Sequence, residues 1–306
     1  MTTSTLDPTT AASVNMLRDL EPIAGTLLER HLNTAQEWFP HDYVPWEQGR
    51  NFTAEPWEPG DCKLSGIART AMELNLLTED NLPYYHLAIW ETFGGNGPWG
   101  EWSRRWTAEE GRHSIAMRDF LTVTRGTDPV ELERARMNHV SRGYYPGDGF
   151  TPLNGLVYVT LQELATRISH RNTGAITEDP EAEKLMARIA QDENLHYVFY
   201  RDITSAALEM DPSATVLAIH RQVTGFTMPG LELDGFREKA ISIAKAGIYD
   251  LRIHHDQVLI PVLMKKWRLT EIDGLSDEAE KARDATIEFL GHLDAAASRY
   301  EQRRAG

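Results

Sequence analysis

The chain has 306 residues, and its 46 acidic side chains outnumber its 31 basic ones, giving a formal net charge of −15. That balance argues against non-specific nucleic-acid binding and against docking on anionic lipid, because both need a basic surface. The single cysteine, Cys62, excludes an intrachain disulfide and a cysteine-held iron–sulfur cluster. No apolar run approaches the roughly 18–20 residues that span a bilayer, and no secretory signal is apparent at the N-terminus. We therefore expect a cytoplasmic protein with no transmembrane segment and no nucleic-acid partner.

Helical spacing dominates the chain. Residues 1–13 are rich in Ser and Thr, so we expect a disordered terminus there, followed by a helix from about Val14 to Trp38. From Cys62 onward nearly every segment has helical periodicity, with stops at 94–98, 143–152, 177–180, 210–213 and 227–230. No segment shows convincing strand alternation. The sequence predicts one all-α domain over residues 14–306, with peripheral helices around a four-helix core.

Four of the predicted helices carry a carboxylate where a core residue is expected. These helices cover about 72–90, 99–120, 153–167 and 185–203, and the carboxylates are Glu79, Glu110, Glu163 and Glu193. Each of them lies on an inward stripe with i, i+3/i+4, i+7 spacing. A buried carboxylate is costly unless it is paired or bound to a metal.

Two of these carboxylates belong to Glu-x-x-His motifs, Glu110 to His113 and Glu193 to His196. Residues at i and i+3 share a helix face, so both side chains of a motif can reach one ion. Glu79 precedes the first motif by 31 residues and Glu163 precedes the second by 30. This order is the known ligand set of ferritin-like di-iron and di-manganese bundles. Four carboxylates balance two divalent ions in charge, and these ligands suit Fe(II) or Mn(II) better than structural zinc.

Five segments around these residues resemble the soluble acyl-[acyl-carrier-protein] desaturases, of the plant stearoyl type and especially of the shorter actinobacterial branch. The segments are EWFPHDYVP (37–45), TEDNLPYYH (78–86), WSRRWTAEEGRH (102–113), LQELATRISHRNTG (161–174) and IAQDENLHYVFY (189–200). The resemblance covers roughly residues 14–300. It implies a ferritin-like four-helix bundle that holds two Fe2+ ions and assembles as a homodimer.

The resemblance also implies a reaction and its partners. O2 and two electrons from a ferredoxin-type donor would introduce a cis double bond into a saturated acyl chain. The chain would be carried on acyl carrier protein and lie in an apolar slot beside the di-iron centre. An alternative is a di-iron hydroxylase or N-oxygenase that acts on a carrier-bound substrate. A ferroxidase is a further rival, whereas Met117, four residues after the first histidine, disfavours a ribonucleotide reductase subunit, which has a radical Tyr there.

Individual roles follow from the same resemblance. The six ligands are assigned as Glu79 and His113 on one iron, Glu163 and His196 on the other, and Glu110 and Glu193 as bridges. Asp192 matches a carboxylate that hydrogen-bonds a ligand histidine. Trp38 matches a tryptophan near that network that is linked to electron delivery; the alternative is a packed aromatic at a helix end. Thr166 matches a threonine that faces the dioxygen pocket; the alternative is a hydroxyl bonded to the preceding turn.

One residue departs from the family pattern, and several others have roles that the resemblance does not assign. Gly111 stands where the family usually has Asn, and a helical glycine costs about 1 kcal/mol. We expect the acyl slot to run beside residues 79–93 and 153–170, with Glu91 setting its depth unless Glu91 faces solvent. The basic patch needed for an acidic carrier protein is expected among Arg104, Arg105, Arg112 and Arg118, or at Arg134 and Arg136. Ordinary hydrogen-bonded core or interface histidines are expected at His86, His170 and His220.

Overall fold

In this computed structural model, residues 8–147 and 150–305 are described. The helices are α1 (Pro8–Thr34), α2 (Gly66–Glu79), α3 (Leu82–Phe93), α4 (Gly97–Val123), α5 (Pro129–Arg142), α6 (Pro152–Ile176), α7 (Pro180–Met210), α8 (Pro212–Thr224), α9 (Phe236–Ala246), α10 (Leu251–Ile253, continued by a π-helix over His254–Lys266) and α11 (Asp277–Ala305). Those two ranges contain no strand, which confirms the all-α prediction.

The N-terminal helix begins earlier than the sequence suggests. Residues 8–13, expected to be disordered, already belong to α1, and α1 ends at Thr34 rather than near Trp38. Residues 1–7 lie outside the described residues. The division of the chain into one domain over 14–306 stays a prediction.

Several helices begin at an Asp-Pro pair. The side chains of Asp128, Asp179 and Asp211 each accept hydrogen bonds from backbone N–H groups in the first turn of α5, α7 and α8. The proline that follows each aspartate occupies a first-turn position, where its missing N–H donor is not needed. The stops predicted at 177–180 and 210–213 are therefore confirmed.

The segment expected to form one helix through 72–90 is broken in two. Helix α2 ends at Glu79 and α3 begins at Leu82, so Pro83 lies in the first turn of α3 rather than at a kink inside a helix. The break changes the rotational phase of α3 relative to α2. Glu91 is consequently exposed to solvent, and the expectation that it sets the depth of the slot is wrong.

The carboxylate-bearing helices α2, α4, α6 and α7 form the centre of the bundle. Helices α6 and α7 are joined by three residues and pack along each other, so they are antiparallel. Helix α1 packs on α4 and α7, α8 packs on α6 and α11, and α9 packs on α2. None of the described helices is long and apolar enough to cross a membrane.

Two apolar clusters lie on either side of the carboxylates along the bundle. One contains Trp102 from α4 and Phe199 from α7, which stack with ring centroids 3.6 Å apart. The other contains Phe120 from α4 and Ile189 from α7. The polar layer between them is thus enclosed by close-packed side chains, which hold its groups in place and limit access of water.

Candidate metal centre

Carboxylates and imidazoles from four helices meet between the two apolar clusters. Two groups of potential ligands form there, and within each group the ligand atoms lie within 4.8 Å of one another. The first group is Glu79, Glu110, His113 and Glu193, and the second is Glu110, Glu163, Glu193 and His196. The structure therefore brings together all six residues that the spacing indicated, and two carboxylates belong to both groups.

The shared carboxylates, Glu110 and Glu193, each extend one oxygen toward each histidine. Nδ1 of His113 lies 3.4 Å from Oε2 of Glu110 and 3.4 Å from Oε1 of Glu193. Nδ1 of His196 lies 2.8 Å from Oε1 of Glu110 and 3.9 Å from Oε2 of Glu193. Glu79 and Glu163 each belong to one ligand group only. An oxygen of Glu79 lies 3.9 Å from Nδ1 of His113, and an oxygen of Glu163 lies 3.6 Å from Nδ1 of His196. Glu110 and Glu193 have the placement that bridging ligands need.

Both histidines turn Nδ1 toward this cluster and Nε2 away from it. Nδ1 of His196 lies 2.8 Å from Oε1 of Glu110, but neither Nδ1 makes a hydrogen bond of acceptable geometry within the described part of the chain. Nε2 of His113 lies 3.5 Å from Asp192, and Nε2 of His196 lies 3.0 Å from Glu109. A ring protonated at Nε2 leaves a lone pair at Nδ1, which is the usual form of a metal ligand whose other nitrogen donates to a carboxylate. The residues therefore fit a pair of divalent metal ions.

The charges of the cluster support the same conclusion. Burial raises the pKa of Glu79 to about 8, and the nearby Glu110 charge adds to the rise. Burial and the Glu193 charge hold the pKa of Glu163 well above its usual range. Without metal, protons must therefore relieve the repulsion between buried carboxylates. Two divalent cations would neutralise the four carboxylates with no proton bound.

Asp192 connects His113 to Trp38 and to two arginines. Its Oδ2 accepts hydrogen bonds from Trp38 Nε1 at 2.7 Å and from Arg112 at 3.0 Å, and its Oδ1 contacts Arg188. Burial opposes the charge of Asp192, but hydrogen bonds from His113 and Trp38 outweigh it and lower the pKa to about 2. Trp38 is 5% exposed, so it is a packed aromatic that also belongs to the network around His113.

Glu109, which is not among the residues predicted from the sequence, holds the other histidine. Its Oε2 lies 3.0 Å from Nε2 of His196 and 2.9 Å from Nε2 of His31, and its Oε1 pairs with Arg105 at 2.5 Å. Burial opposes its charge, but hydrogen bonds to His196 and His31 keep the pKa of Glu109 well below its usual range. The signal was present in the sequence, because an acidic residue directly precedes the Glu of each Glu-x-x-His motif.

Thr166 makes the contact with the preceding helical turn that one interpretation of its sequence position expects, and its place beside a dioxygen pocket stays a prediction. Its hydroxyl lies 3.1 Å from the backbone carbonyl oxygens of Gln162 and Glu163, one turn back on α6. The same hydroxyl lies 3.3 Å from Oε2 of Glu193. It is therefore placed to donate either to the helix backbone or to a carboxylate of the cluster.

His170 is a buried, hydrogen-bonded histidine as expected, but its partners are carboxylates of the cluster. Its Nε2 lies 3.1 Å from Oε1 of Glu79 and 3.5 Å from Oε1 of Glu193. Burial opposes protonation, but hydrogen bonds to Glu193 and Glu79 raise the pKa of His170 to about 9. The other two histidines, His86 and His220, bond threonine hydroxyls as expected. The signal for His170 was its position two helical turns after the α6 carboxylate, on the same face.

An apolar cavity passes beside the cluster between α2, α3, α6 and α9. Its empty volume is about 1290 Å3, part of which is open to solvent. Glu79, Glu110 and Thr166 contribute to its wall in the middle, whereas Glu91 does not line it. The expectation of a slot beside residues 79–93 and 153–170 is confirmed.

Two further expectations concern residues near the cluster. A Cβ added at Gly111 would meet only Leu82, at 3.7 Å, so the packing does not require glycine there.

Five of the six arginines expected to form a docking patch are ion-paired with acidic side chains. The pairs are Arg105–Glu109, Arg112–Asp192, Arg118–Asp80, Arg134–Glu131 and Arg136–Glu133. The docking patch for an acidic carrier protein stays a prediction.

The fold and this site match one protein family over nearly the whole chain. The family model described as "Fatty acid desaturase" matches residues 12–305. The chain belongs to this fatty acid desaturase family, and its all-helical fold is ferritin-like.

Individual relatives agree with that assignment. The chain is 46% identical over 298 residues to an acyl-[acyl-carrier-protein] desaturase named DesA1 from Mycobacterium tuberculosis, covering 94% of this chain and 88% of the relative. It is 29% identical over 313 residues to the chloroplastic stearoyl-[acyl-carrier-protein] 9-desaturase 1 of Oryza sativa, covering 94% and 81%. The X-ray structure of the acyl-ACP desaturase DesA2 from Mycobacterium tuberculosis superposes with a TM-score of 0.71 at 30% identity. That superposition covers 88% of this chain and 99% of DesA2.

Proposed function

We propose that this protein is an O2-dependent acyl-[acyl-carrier-protein] desaturase that forms a cis double bond in a saturated acyl chain. The observation that carries the proposal is the pair of overlapping ligand groups in the wall of an apolar cavity. In the reaction, two adjacent carbons of the acyl chain each lose one hydrogen. One O2, two electrons from a donor and two protons complete the balance, and two water molecules are formed.

The proposed metal centre consists of two iron ions and the six clustered side chains. Glu79 and His113 would hold one ion, Glu163 and His196 the other, and the two shared carboxylates, Glu110 and Glu193, both ions. When bound, the iron pair supplies the O2 activation that cleavage of an unactivated C–H bond needs. The surrounding side chains fix its ligands. Asp192 keeps the His113 proton on Nε2, and Thr166 offers a hydroxyl on the cavity side.

The two ends of the cavity differ in polarity, which indicates how a bound acyl chain is oriented. Its wall is mostly apolar at the end that contains Ile89, Phe93 and Gly155, where Thr92 and Tyr158 are the polar side chains. At the other end it contains the amide of Asn75 and the hydroxyl of Ser169, 14 residues (169 − 155) beyond Gly155 on α6. Fourteen helical residues span about 21 Å, and the cluster lies between the two ends. The thioester would therefore lie at the polar end and the methyl terminus at the apolar end, so that a middle carbon faces the metal centre.

Mass spectrometry tests this function directly. Iron-loaded protein is incubated with acyl carrier proteins that carry saturated chains of several lengths, together with reductant and O2. Desaturation predicts a product lighter than the substrate by two hydrogen atoms. A product heavier by one oxygen atom would instead indicate the hydroxylase or N-oxygenase alternative, and unchanged substrate at every chain length would contradict both. Metal-free protein is the control for non-enzymatic oxidation.

Three further parts of the proposal rest on the family and on composition. The electron donor is a ferredoxin-type protein, the enzyme is a homodimer, and it acts in the cytoplasm. Light scattering tests the dimer, because one chain has a mass of 34.6 kDa. A species of twice that mass at micromolar concentration is expected, whereas a monomer would contradict the dimer.

A further inference from the structure

The acyl cavity is bounded on one side by a segment that has no helical structure. Residues 227–235, between α8 and α9, form this segment, which we name the strap. Met228 and Pro229 of the strap line the acyl cavity. Both residues also line a polar pocket on the other side, whose empty volume of about 810 Å3 includes open solvent. A single thickness of chain therefore separates the acyl cavity from solvent at the strap.

The strap is held loosely compared with the helices around it. No backbone hydrogen bond joins residues 227–232 to a helix within the ranges 8–147 and 150–305. Only Gly230 and Leu233 of the strap are buried, and its other residues are half-buried or exposed. Segments with few buried contacts and few backbone hydrogen bonds are the ones that open locally while the rest of a protein stays folded. The strap is thus the kind of wall that can move.

One carboxylate ties the strap to α5. Oδ2 of Asp234 accepts a hydrogen bond from Asn138 at 2.8 Å, and its Oδ1 accepts one from Arg142 at 2.8 Å. Arg142 also donates to the backbone carbonyl of Glu232. We name these contacts the latch. The Asp234 side chain is 73% exposed and that of Arg142 is 40% exposed. Water competes for such exposed pairs and screens them, so the latch can open without unfolding the bundle.

The helical walls next to the strap are fixed by the candidate metal centre. Helices α2, α4 and α6 line the cavity with Glu79, Glu110 and Glu163, so moving one of them would displace a proposed ligand. The strap contributes no proposed ligand but lies close to one. A Cβ at Gly230, where φ is +100°, would meet Cγ2 of Thr78 at 2.7 Å, and Thr78 directly precedes Glu79. The part of the wall that can move is therefore beside the metal centre.

We propose that the strap is a movable wall, through which an alkyl chain enters and leaves the acyl cavity sideways when the latch opens. No bond of the substrate forms or breaks in this step. The inference rests on the proposed function for its purpose. A cis double bond bends the middle of the chain, and a bent chain can leave a closely packed slot only if part of the wall gives way. The strap provides that part without disturbing the metal ligands.

A cross-link tests the strap in metal-free protein, and hence without any oxygen chemistry. Asn138→Cys and Asp234→Cys are joined by a short bismaleimide in a Cys62→Ser background. The serine hydroxyl can donate to the carbonyl of Gly126, as the thiol does. Stopped-flow fluorescence then follows the binding of cis-parinaric acid, a fluorescent polyunsaturated fatty acid. Excess stearic acid should displace the bound probe.

The cross-link should slow entry and exit alike. We expect the association and dissociation rate constants of the probe to fall by at least about tenfold, because a closed lid blocks passage in both directions. The reference is the same variant with its cysteines blocked by N-ethylmaleimide. The Kd should change much less than either rate constant, because the contacts in the bound state are kept. A wall that only contacts the ligand would change the Kd mainly through the dissociation rate.

A variant that opens the latch should have the opposite effect. Asp234→Ala removes the acceptor for Asn138 and Arg142, and both rate constants should rise by about threefold, as expected for loss of an exposed pair. Glu131→Ala is the matched control, because it removes an exposed ion pair with Arg134 on the same helix. Its rate constants should equal those of the wild type. R299C/R303C, at exposed positions on α11, controls for the cross-linking reagent in the Cys62→Ser background.

The outcomes separate the movable wall from the proposed function. Equal probe kinetics in the cross-linked and blocked forms of N138C/D234C would overturn the movable wall, and so would equal slowing in cross-linked R299C/R303C. Failure of the wild type to bind the probe would overturn it too, because no alkyl chain would then enter the cavity. If the cross-link slows binding but iron-loaded wild-type enzyme desaturates no carrier-bound chain, only the proposed function fails. If that enzyme desaturates and the cross-link slows neither binding nor turnover, only the movable wall fails.

Discussion

Glu109 on α4 lies 3.0 Å from Nε2 of His196 on α7, on the side of the ring that faces away from the metal cluster. The reciprocal contact joins Asp192 on α7 to Nε2 of His113 on α4. Each Glu-x-x-His helix thus provides the carboxylate that orients the histidine of the other helix. The two halves of the centre depend on each other through these crossed contacts.

The first prediction concerns these two carboxylates. Changing Glu109 to Gln replaces the charged acceptor that holds the proton on Nε2 of His196 with a neutral amide, which accepts more weakly, and Asp192→Asn does the same for His113. Loss of such a partner lowers metal affinity by about 10–100-fold, so each variant should release iron to a chelator at correspondingly lower concentration. Glu101→Gln, at an exposed position on α4, is the control. Iron affinity equal to that of the wild type in both variants would contradict the assigned roles.

The second prediction concerns Glu193→Ala. The substitution removes a carboxylate shared by both ligand groups and one of four negative charges, so iron binding and turnover should be lost. The circular dichroism spectrum should stay helical, because the apolar clusters on either side of the site provide most of the packing. Glu183→Ala, exposed on the same helix, should keep iron and turnover. A Glu193→Ala protein with full iron content would show that the ligand assignment is wrong.

The third prediction concerns the stability of metal-free protein. Burial raises the pKa of Glu79 to about 8, and hydrogen bonds to carboxylates raise that of His170 to about 9 against the opposing effect of burial. Both groups hold protons more tightly in the folded chain than in the unfolded one. The free energy of unfolding therefore falls as the pH rises from the unfolded pKa of each group to its folded pKa. Above the folded pKa this contribution is lost. The Tm of metal-free protein should fall between about pH 5 and pH 9.

Iron loading and one variant isolate the cause of that fall. Iron-loaded protein should show a shallower decline, because the metal replaces the protons. The Tm of metal-free Glu79→Gln should also depend less on pH, because one of the titrating groups has been removed. A metal-free Tm that stays constant or rises over this interval would be inconsistent with protonated carboxylates in the cluster.

The fourth prediction concerns Gly111, between Glu110 and Arg112 on α4. Alanine there should stabilise the protein by about 1 kcal/mol, because glycine is a poor helix former and the added Cβ meets only Leu82, at 3.7 Å. Thermal unfolding of metal-free protein measures the effect, and iron content should be unchanged. A destabilised variant would show that the helix needs the freedom of glycine at this position.

The sequence was sufficient to find the six clustered side chains. Helical periodicity determines which face a residue occupies, and a carboxylate on an apolar face is conspicuous because its burial needs compensation. The side chains that hold the ligands in place were harder to find. The contacts of Glu109 with His31 and His196 join residues 78 and 87 positions apart, and such pairing between helices leaves no periodic pattern.

The mistake at Glu91 has a different cause. The phase of a helix can be extended only while the helix continues, and the segment over Asp80 and Asn81 interrupts it. Pro83 suggests a kink if the segment is one continuous helix, yet proline is equally compatible with the first turn of a new helix. One kinked helix would turn Glu91 into the slot, whereas a new helix that begins at Leu82 places Glu91 on the surface.

Anaerobic iron titration determines whether the six side chains from α2, α4, α6 and α7 form one two-metal centre. Metal-free protein is titrated with Fe2+, and bound metal is measured after removal of the excess. We expect close to two irons per chain in the wild type and a large loss in Glu193→Ala, because that carboxylate belongs to both ligand groups. A wild-type stoichiometry of one iron or less per chain would contradict it.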